Sequence, residues 1–294
     1  MTAQPSYSLG SDDGEIARLD AQADMLARAT RLLLRMGGIA PGMRVLDVAT
    51  GLGHVAFDVA DLVGPRGAVV GIDQSERVLA IAEQRRRAAG LDTVSFREAD
   101  VRTFRDAEPF DAFVGRLILF HLPDAIEVLA HHIAALRPGG IMLVVDFDGG
   151  SLRAEPPVQL VTAIHDWCDE AFRSAGANPV VGTRLALLLR QAGAVHVSTL
   201  GVQTYLGPED PHGPLWAAGL VNSLALRIIA DGIATEAELG LHTLRERVAR
   251  ELAARDAIFL PPTVVGAWGR RPRPLVDDRS GRAPSLRARN ADDP

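Results

Sequence analysis

The sequence predicts an α/β fold: a mostly parallel sheet of seven strands with helices on both faces, covered by helical caps. Three observations carry this prediction. Between residues 45 and 147, five short apolar runs alternate with amphipathic stretches, the pattern of strands buried on both faces and joined by crossover helices. Gly37-Gly38, Gly90 and Pro138-Gly139-Gly140 fall where the helical stretches end. After Asp148 the rhythm is interrupted by helical segments and then resumes with two more strand-like runs.

Residues 1–14 read as a flexible lead. A helix from residue 13 places Ile16, Leu19, Ala23, Leu26, Thr30, Leu33 and Met36 near a 3.6-residue period, making residues 1–40 an N-terminal cap. A core follows over 41–205. Its strands are expected at 45–48, 68–72, 94–98, 110–115, 141–147 and 195–205, and its helices at 54–62, 76–89, 124–136 and 182–192. A cap insertion occupies 151–180, with a helix near 158–174. Residues 206–257 form a helical lid, 258–270 a last strand, and the Arg/Pro/Asp-rich 271–294 a disordered tail.

Bulk composition excludes several classes. Apolar residues make up 47% of the 294, enough for a sizeable core. A net charge of −6 argues against a nucleic-acid partner held by phosphate neutralisation. No apolar run reaches the ~18–20 residues of a membrane span, and residues 1–10 lack the basic and apolar regions of a secretory signal. Cys168 is the sole cysteine, which excludes an internal disulfide and a metal site built on cysteine pairs, and suits a cytoplasmic setting. All 31 basic residues are arginine, so no lysine is available as an amine nucleophile.

The informative segment is Val45-Leu46-Asp47-Val48-Ala49-Thr50-Gly51-Leu52-Gly53-His54. A strand ends in an acid, and Gly51 and Gly53 let backbone approach a ligand closely at the carboxyl edge of the sheet. Asp47 there can accept from an ammonium group. Asp73 ends the next strand, twenty residues past Gly53, where a carboxylate can accept both hydroxyls of a ribose. Asp100, after the third strand, can accept from an adenine amine or simply cap a turn. Gly51-Leu52-Gly53-His54-Val55-Ala56 also satisfies a dinucleotide pattern, leaving a nicotinamide oxidoreductase as the rival. Against it, an acid precedes the glycines, where a pyrophosphate is repelled and a cationic nucleoside without phosphates is not.

These residues carry a family resemblance. Residues from about 43 to 202 resemble class I S-adenosylmethionine-dependent methyltransferases on a Rossmann-like sheet, nearest to quinone-biosynthesis-type and bacterial natural-product enzymes. Besides the segment above, the matching pieces are Gly71-Ile72-Asp73-Gln74-Ser75, Glu98-Ala99-Asp100, Phe110-Asp111, His121-Leu122-Pro123-Asp124 and Leu136-Arg137-Pro138-Gly139-Gly140. The resemblance implies that Asp47, Gly51 and Gly53 hold the methionine part, Asp73 with Gln74 the ribose, and Asp100 with Val101 the adenine. It also puts Arg116 at the methionine end. Ala49 stands where many members carry glycine, as it does in the quinone-type subgroup.

Methyl transfer to a small-molecule acceptor asks the protein to align the acceptor with the C–S bond, exclude water, and in some cases remove a proton. Base candidates are His121, and His165 spaced i,i+4 from Asp169 so that the carboxylate can orient the imidazole. Their bland readings are a structural partner and a solvated helix face. Tyr7 can fold over the pocket or lie outside it. Asp146 and Asp148 border the acceptor side or serve the turn; Trp167, Phe172 and Trp216 line an apolar pocket or belong to the core. A protein that binds the cofactor without consuming it, a cyclase or regulator, is a further alternative.

Overall fold

The computed structural model of the chain describes residues 13–274. Helix α1 (Asp13–Gly37) leads into β1 (Arg44–Val48), α2 (His54–Val63), β2 (Ala68–Asp73), α3 (Glu76–Ala88), β3 (Val94–Glu98), β4 (Phe110–Arg116), α4 (Ala125–Ala135) and β5 (Leu136–Asp148). Then come β6 (Arg153–Glu155), α5 (Gln159–Ser174), α6 (Leu185–Gln191), β7 (Val195–Val202), α7 (His212–Ala230), α8 (Glu236–Leu239), α9 (Leu244–Ala254), β8 (Ile258–Leu260) and β9 (Thr263–Arg270). The main sheet has seven strands in the order β3-β2-β1-β4-β5-β9-β7, with β9 running against its neighbours.

Strand side chains alternate between the two faces. Val45, Val69, Val114 and Leu143 pack with Leu33, Val55 and Val59 of α1 and α2. Their neighbours Leu46, Val70, Phe113 and Met142 pack with Leu129, Ile133, Leu185 and Leu189 of α4 and α6. Both faces are covered, so the strands read as continuous apolar runs. The chain reverses order between β1 and β4, and the carboxyl ends of β1, β2 and β4 open a crevice there.

Three local expectations are corrected. Pro138-Gly139-Gly140 does not follow a helix: α4 stops at Ala135 and β5 begins at once. Five steps from Leu136 to Ile141 match two from Phe110 to Ala112, and Gly139, at φ +80°, helps absorb the surplus as a bulge. Residues 258–270 are not one strand. Pro261-Pro262 cannot donate to a ladder, so β8 pairs with β6 in a separate two-stranded sheet and β9 enters the main sheet. Met36, placed on the buried stripe of α1 by its spacing, is 54% exposed.

The cap insertion and the lid share one apolar core. Ile164, Cys168, Val221, Leu224, Ile228, Val248, Leu252 and Phe259 form it, from α5, α7, α9 and β8. Helix α7 is long and apolar enough to cross a bilayer; here Val221, Leu224 and Ile228 bury its inner face in the cap. Of the tail, residues 275–294 lie outside the described residues.

Candidate functional site

Asp47 sits one residue before the end of β1, paired in register with Gly71, and is 1% exposed. Beyond the strand, Ala49, Gly51 and Gly53 have φ of 51°, 53° and 84°, three left-handed residues in five. A Cβ on Gly53 would lie 2.9 Å from the rings of Phe57 and Phe96, so packing forbids a side chain there. One on Gly51 would meet no protein atom within 4 Å; glycine there leaves room in front of the turn. Ala49, the departure from many relatives, adopts the same backbone at a cost of about 1 kcal/mol.

The acids tie this turn together. Thr50 Oγ1 donates to Asp47 Oδ2 at 2.6 Å. Asp73, the last residue of β2, accepts from the Gly51 N–H at 2.9 Å through Oδ2 and from the Ser75 N–H at 3.0 Å through Oδ1. Gln74, beside it, is exposed. Burial pushes the Asp47 carboxyl up to about 7, against the pull of the Thr50 hydroxyl and the Arg116 guanidinium, with the Asp73 charge adding to the rise. Arg116 ends β4 and donates from Nη1 to Thr30 Oγ1 of α1 at 3.1 Å. Burial lowers its pKa, and the charges of Asp47 and Asp58 resist. Asp58 also accepts from Arg31 of α1 at 2.6 Å.

Asp100 lies on the loop after β3. Its Oδ1 accepts from the Arg102 N–H at 2.8 Å, which is turn duty, and Arg102 forks onto Asp124 at 2.8 and 3.2 Å. Val101, 5% exposed, follows it. The structure thus gathers Asp47, Ala49, Gly51, Gly53, Asp73 and Arg116 around one turn, with Asp100 and Val101 on the loop that follows β3.

On the other side of the crevice, His121 ends a short 3₁₀ turn, its ring 3.6 Å from that of Phe120. Burial lowers its pKa to about 4, so the imidazole is neutral. Phe120 meets Phe172 of α5 edge-on at 5.5 Å. Asp146, buried in β5, accepts from the Phe120 and Phe147 N–H groups at 3.3 and 3.0 Å, and burial raises its pKa to about 7. Asp146 therefore holds the turn that carries His121. Asp148 ends β5, and its carbonyl accepts from the Ser151 hydroxyl at 2.7 Å.

The expected His165–Asp169 pair does not form. Asp169 is taken by Arg173 at 2.6 Å, the better i,i+4 partner because it is always charged, and His165 Nδ1 instead meets Asp166 at 3.0 Å. His165 Nε2 is buried and has no hydrogen-bond partner among the described residues. Trp167, Phe172 and Trp216 pack against the cap core, and Trp216 lies 6.1 Å from Phe259. Tyr7 falls outside the described residues. Among the described residues, no group of three or more His, Cys, Asp or Glu is placed to hold a metal.

Sequence reasoning missed how α1 is fixed across the glycine turn. Asp20 accepts from Arg85 of α3 at 2.8 and 2.9 Å and meets His54, the first residue of α2, at 2.9 Å. Thr30 carried a signal, being a polar residue in the apolar stripe of α1; it is fully buried and reaches Arg116.

A model of the methyltransferase domain matches residues 39–192, just over half of the chain and the whole of the glycine turn and its acids. The chain belongs to the class I S-adenosylmethionine-dependent methyltransferases. This methyltransferase is 37% identical over 206 residues to nocamycin O-methyltransferase of Saccharothrix syringae, covering 65% of this chain and 74% of that one. It is 29% identical over 117 residues to demethylmenaquinone methyltransferase of Lactococcus lactis, covering 40% of this chain and 46% of that one. The methyltransferase thus spans about half the length of the quinone-methylating relative. Phosphoethanolamine N-methyltransferase 2 of Haemonchus contortus, solved in complex with S-adenosylmethionine, shares the fold at a TM-score of 0.50 and 18% identity, over 82% of this chain and 51% of that one. The residues fit that cofactor: the turn has open space at Gly51, a buried acid at Asp47, and a second carboxylate, Asp73, at the end of the next strand. The nicotinamide reading falls with the family assignment.

Proposed function

We propose that the protein transfers the methyl group of S-adenosylmethionine to an O, N or C atom of a small, partly aromatic or apolar metabolite in cytoplasmic natural-product biosynthesis. The observation that carries this reading is that the Phe120–His121 turn, which follows β4 next to β1 and is held by Asp146 of β5, meets Phe172 of the cap at the same carboxyl edge of the sheet that bears Asp47, Gly51 and Asp73. S-adenosylmethionine supplies an electrophilic methyl group on a sulfonium, so no strong electrophile is asked of the protein. Asp47 receives the ammonium, Arg116 lies toward the methionine carboxylate, Asp73 with Gln74 takes the ribose hydroxyls, and Asp100 with Val101 walls the adenine.

On the acceptor side the apolar rings exclude water and orient the acceptor. His121, neutral at physiological pH, can take a proton from the acceptor, and His165 Nε2 is an unused polar atom for an acceptor hydroxyl or carbonyl. The relative named for nocamycin O-methylation supports a natural-product acceptor. Calorimetry with S-adenosylhomocysteine and NAD, followed by an assay of S-adenosylhomocysteine release with a panel of small phenolic, enolic and amine acceptors, tests the reading. Tight nucleoside binding, no response to NAD and acceptor-dependent release support it. Binding with no release across a broad acceptor panel moves the protein to a cofactor-holding cyclase or regulator.

A further inference from the structure

The loop of residues 99–105 carries Asp100 and Val101 but is held by no strand neighbour beyond β3. Val101 is buried in the core under α4, and Arg102 forks onto Asp124, the residue before that helix. The Ala99 N–H donates to the Asp73 carbonyl at 2.9 Å, and the Thr103 and Phe104 N–H groups fold back on the Asp100 carbonyl. The Val101 and Phe104 carbonyls point the other way, toward α4. There His132 Nε2 meets the Val101 carbonyl at 2.7 Å, and His131 Nε2 meets the Phe104 carbonyl at 2.9 Å.

Consecutive helix residues point about 100° apart, so the loop must wrap over α4 to reach both rings. A carbonyl only accepts, which fixes the proton on Nε2 in each ring; Nδ1 of His131 then accepts from Arg105 Nη2 at 3.0 Å. His132 is 2% exposed, its ring 4.8 Å from Phe113 and 4.9 Å from His131. Burial drops its pKa to about 4, so it stays a neutral single donor. Beneath the loop lies a void of about 20 Å³, room for one water, walled by Phe104, Phe110, Phe113 and His132. Phe104 packs beside this void, Val101 is part of the buried core under α4, and the two imidazoles add backbone hydrogen bonds on the same side.

We infer that His132, seconded by His131, is a positioning residue for purine recognition: it fixes the Asp100–Val101 backbone at the distance from β2 that reads the adenine edge. The inference rests on the reading of Asp100 and Val101 as the adenine wall.

The test compares S-adenosylhomocysteine with S-inosylhomocysteine, in which a keto oxygen replaces the adenine amine, by calorimetry on the full chain. The unaltered protein is expected to prefer the adenine compound at least tenfold. His132→Leu keeps the bulk but removes the donor, and should cut the preference to about twofold while inosine-compound binding changes less than threefold. His132→Gln, whose amide can reach the Val101 carbonyl, should restore the preference to within threefold of the unaltered protein. His131→Leu, at a less buried position, should lower it about threefold and keeps the test alive if His132→Leu does not fold. Equal weakening of both compounds in His132→Leu, with no rescue by His132→Gln, shows a general structural role and overturns the inference, as does an undiminished preference. Asp100→Ala separates the two failures: if the unaltered protein shows no preference and Asp100→Ala changes neither affinity, the adenine reading itself fails and the inference with it.

Discussion

The two sides of the crevice are built differently. The cofactor side comes from one stretch, residues 47–116, and each of its acids lies at or just past a strand end whose register the sheet fixes, with Asp47 opposite Gly71 and Asp73 opposite Glu98. The acceptor side joins a 3₁₀ turn to α5, and α5 belongs to a cap with an apolar core of its own. Backbone ladders locate one side, side-chain packing the other. The cradle is therefore rigid in position, whereas the acceptor wall can change with the cap without disturbing it.

The largest effect that would sharpen this contrast is expected at Asp47. Asp47→Ala leaves the cofactor ammonium and Arg116 without their buried counter-charge, and should weaken S-adenosylhomocysteine binding about 100-fold or more by calorimetry. A loss no greater than that of a cap variant would break the contrast.

Next comes pH. Asp47 and Asp146 bind a proton more readily folded than unfolded, with pKa raised from 3.8 to about 7. Between pH ~5 and ~7 these two acids alone make the ligand-free protein less stable as pH rises, because the folded carboxyls keep a proton that the unfolded ones have lost. The buried His121 and His132, lowered from 6.5 to about 4, and His54, also lowered, act in the opposite sense up to pH ~6.5, so a net fall is expected only above that, toward pH ~7; Asp20, Asp106 and Asp124, whose pKa values are lowered, are ionised in both states and take no part. An ammonium beside Asp47 favours its charged form, so the melting shift given by S-adenosylhomocysteine should grow over the same interval. A shift independent of pH separates Asp47 from the ammonium.

A smaller and one-sided effect is expected at His165. His165→Ala should raise the acceptor KM several-fold and leave S-adenosylhomocysteine affinity within twofold; weakening of both would show that the sides are coupled. Smallest is Arg31→Ala. Its partner Asp58 is nearly buried, but the Arg31 side chain is 55% exposed, so solvent screens the pair and the melting temperature should fall by no more than a few degrees.

The glycine turn and the acids around it were legible in the sequence because their signals are local: an acid, left-handed backbone at glycine, and the next acid twenty residues on. The fold was legible because strands covered on both faces show as apolar runs. Long-range polar contacts were not. Asp20 meets Arg85 across 65 residues, and no spacing rule links α1 to α3. His131 and His132 read as ordinary helix residues, since what they bind is a backbone carbonyl about thirty residues upstream. The His165–Asp169 pair failed for a different reason: Arg173 lies at the same spacing of four from Asp169 and, being always charged, takes it.

Strands β7 and β9 are direct neighbours, with Val202 paired to Val264, yet sixty-one residues separate those two positions in the chain. The whole second half of the cap is therefore an excursion from a hairpin whose two stems meet. Such an excursion can change in length or sequence while the strands on either side stay zipped.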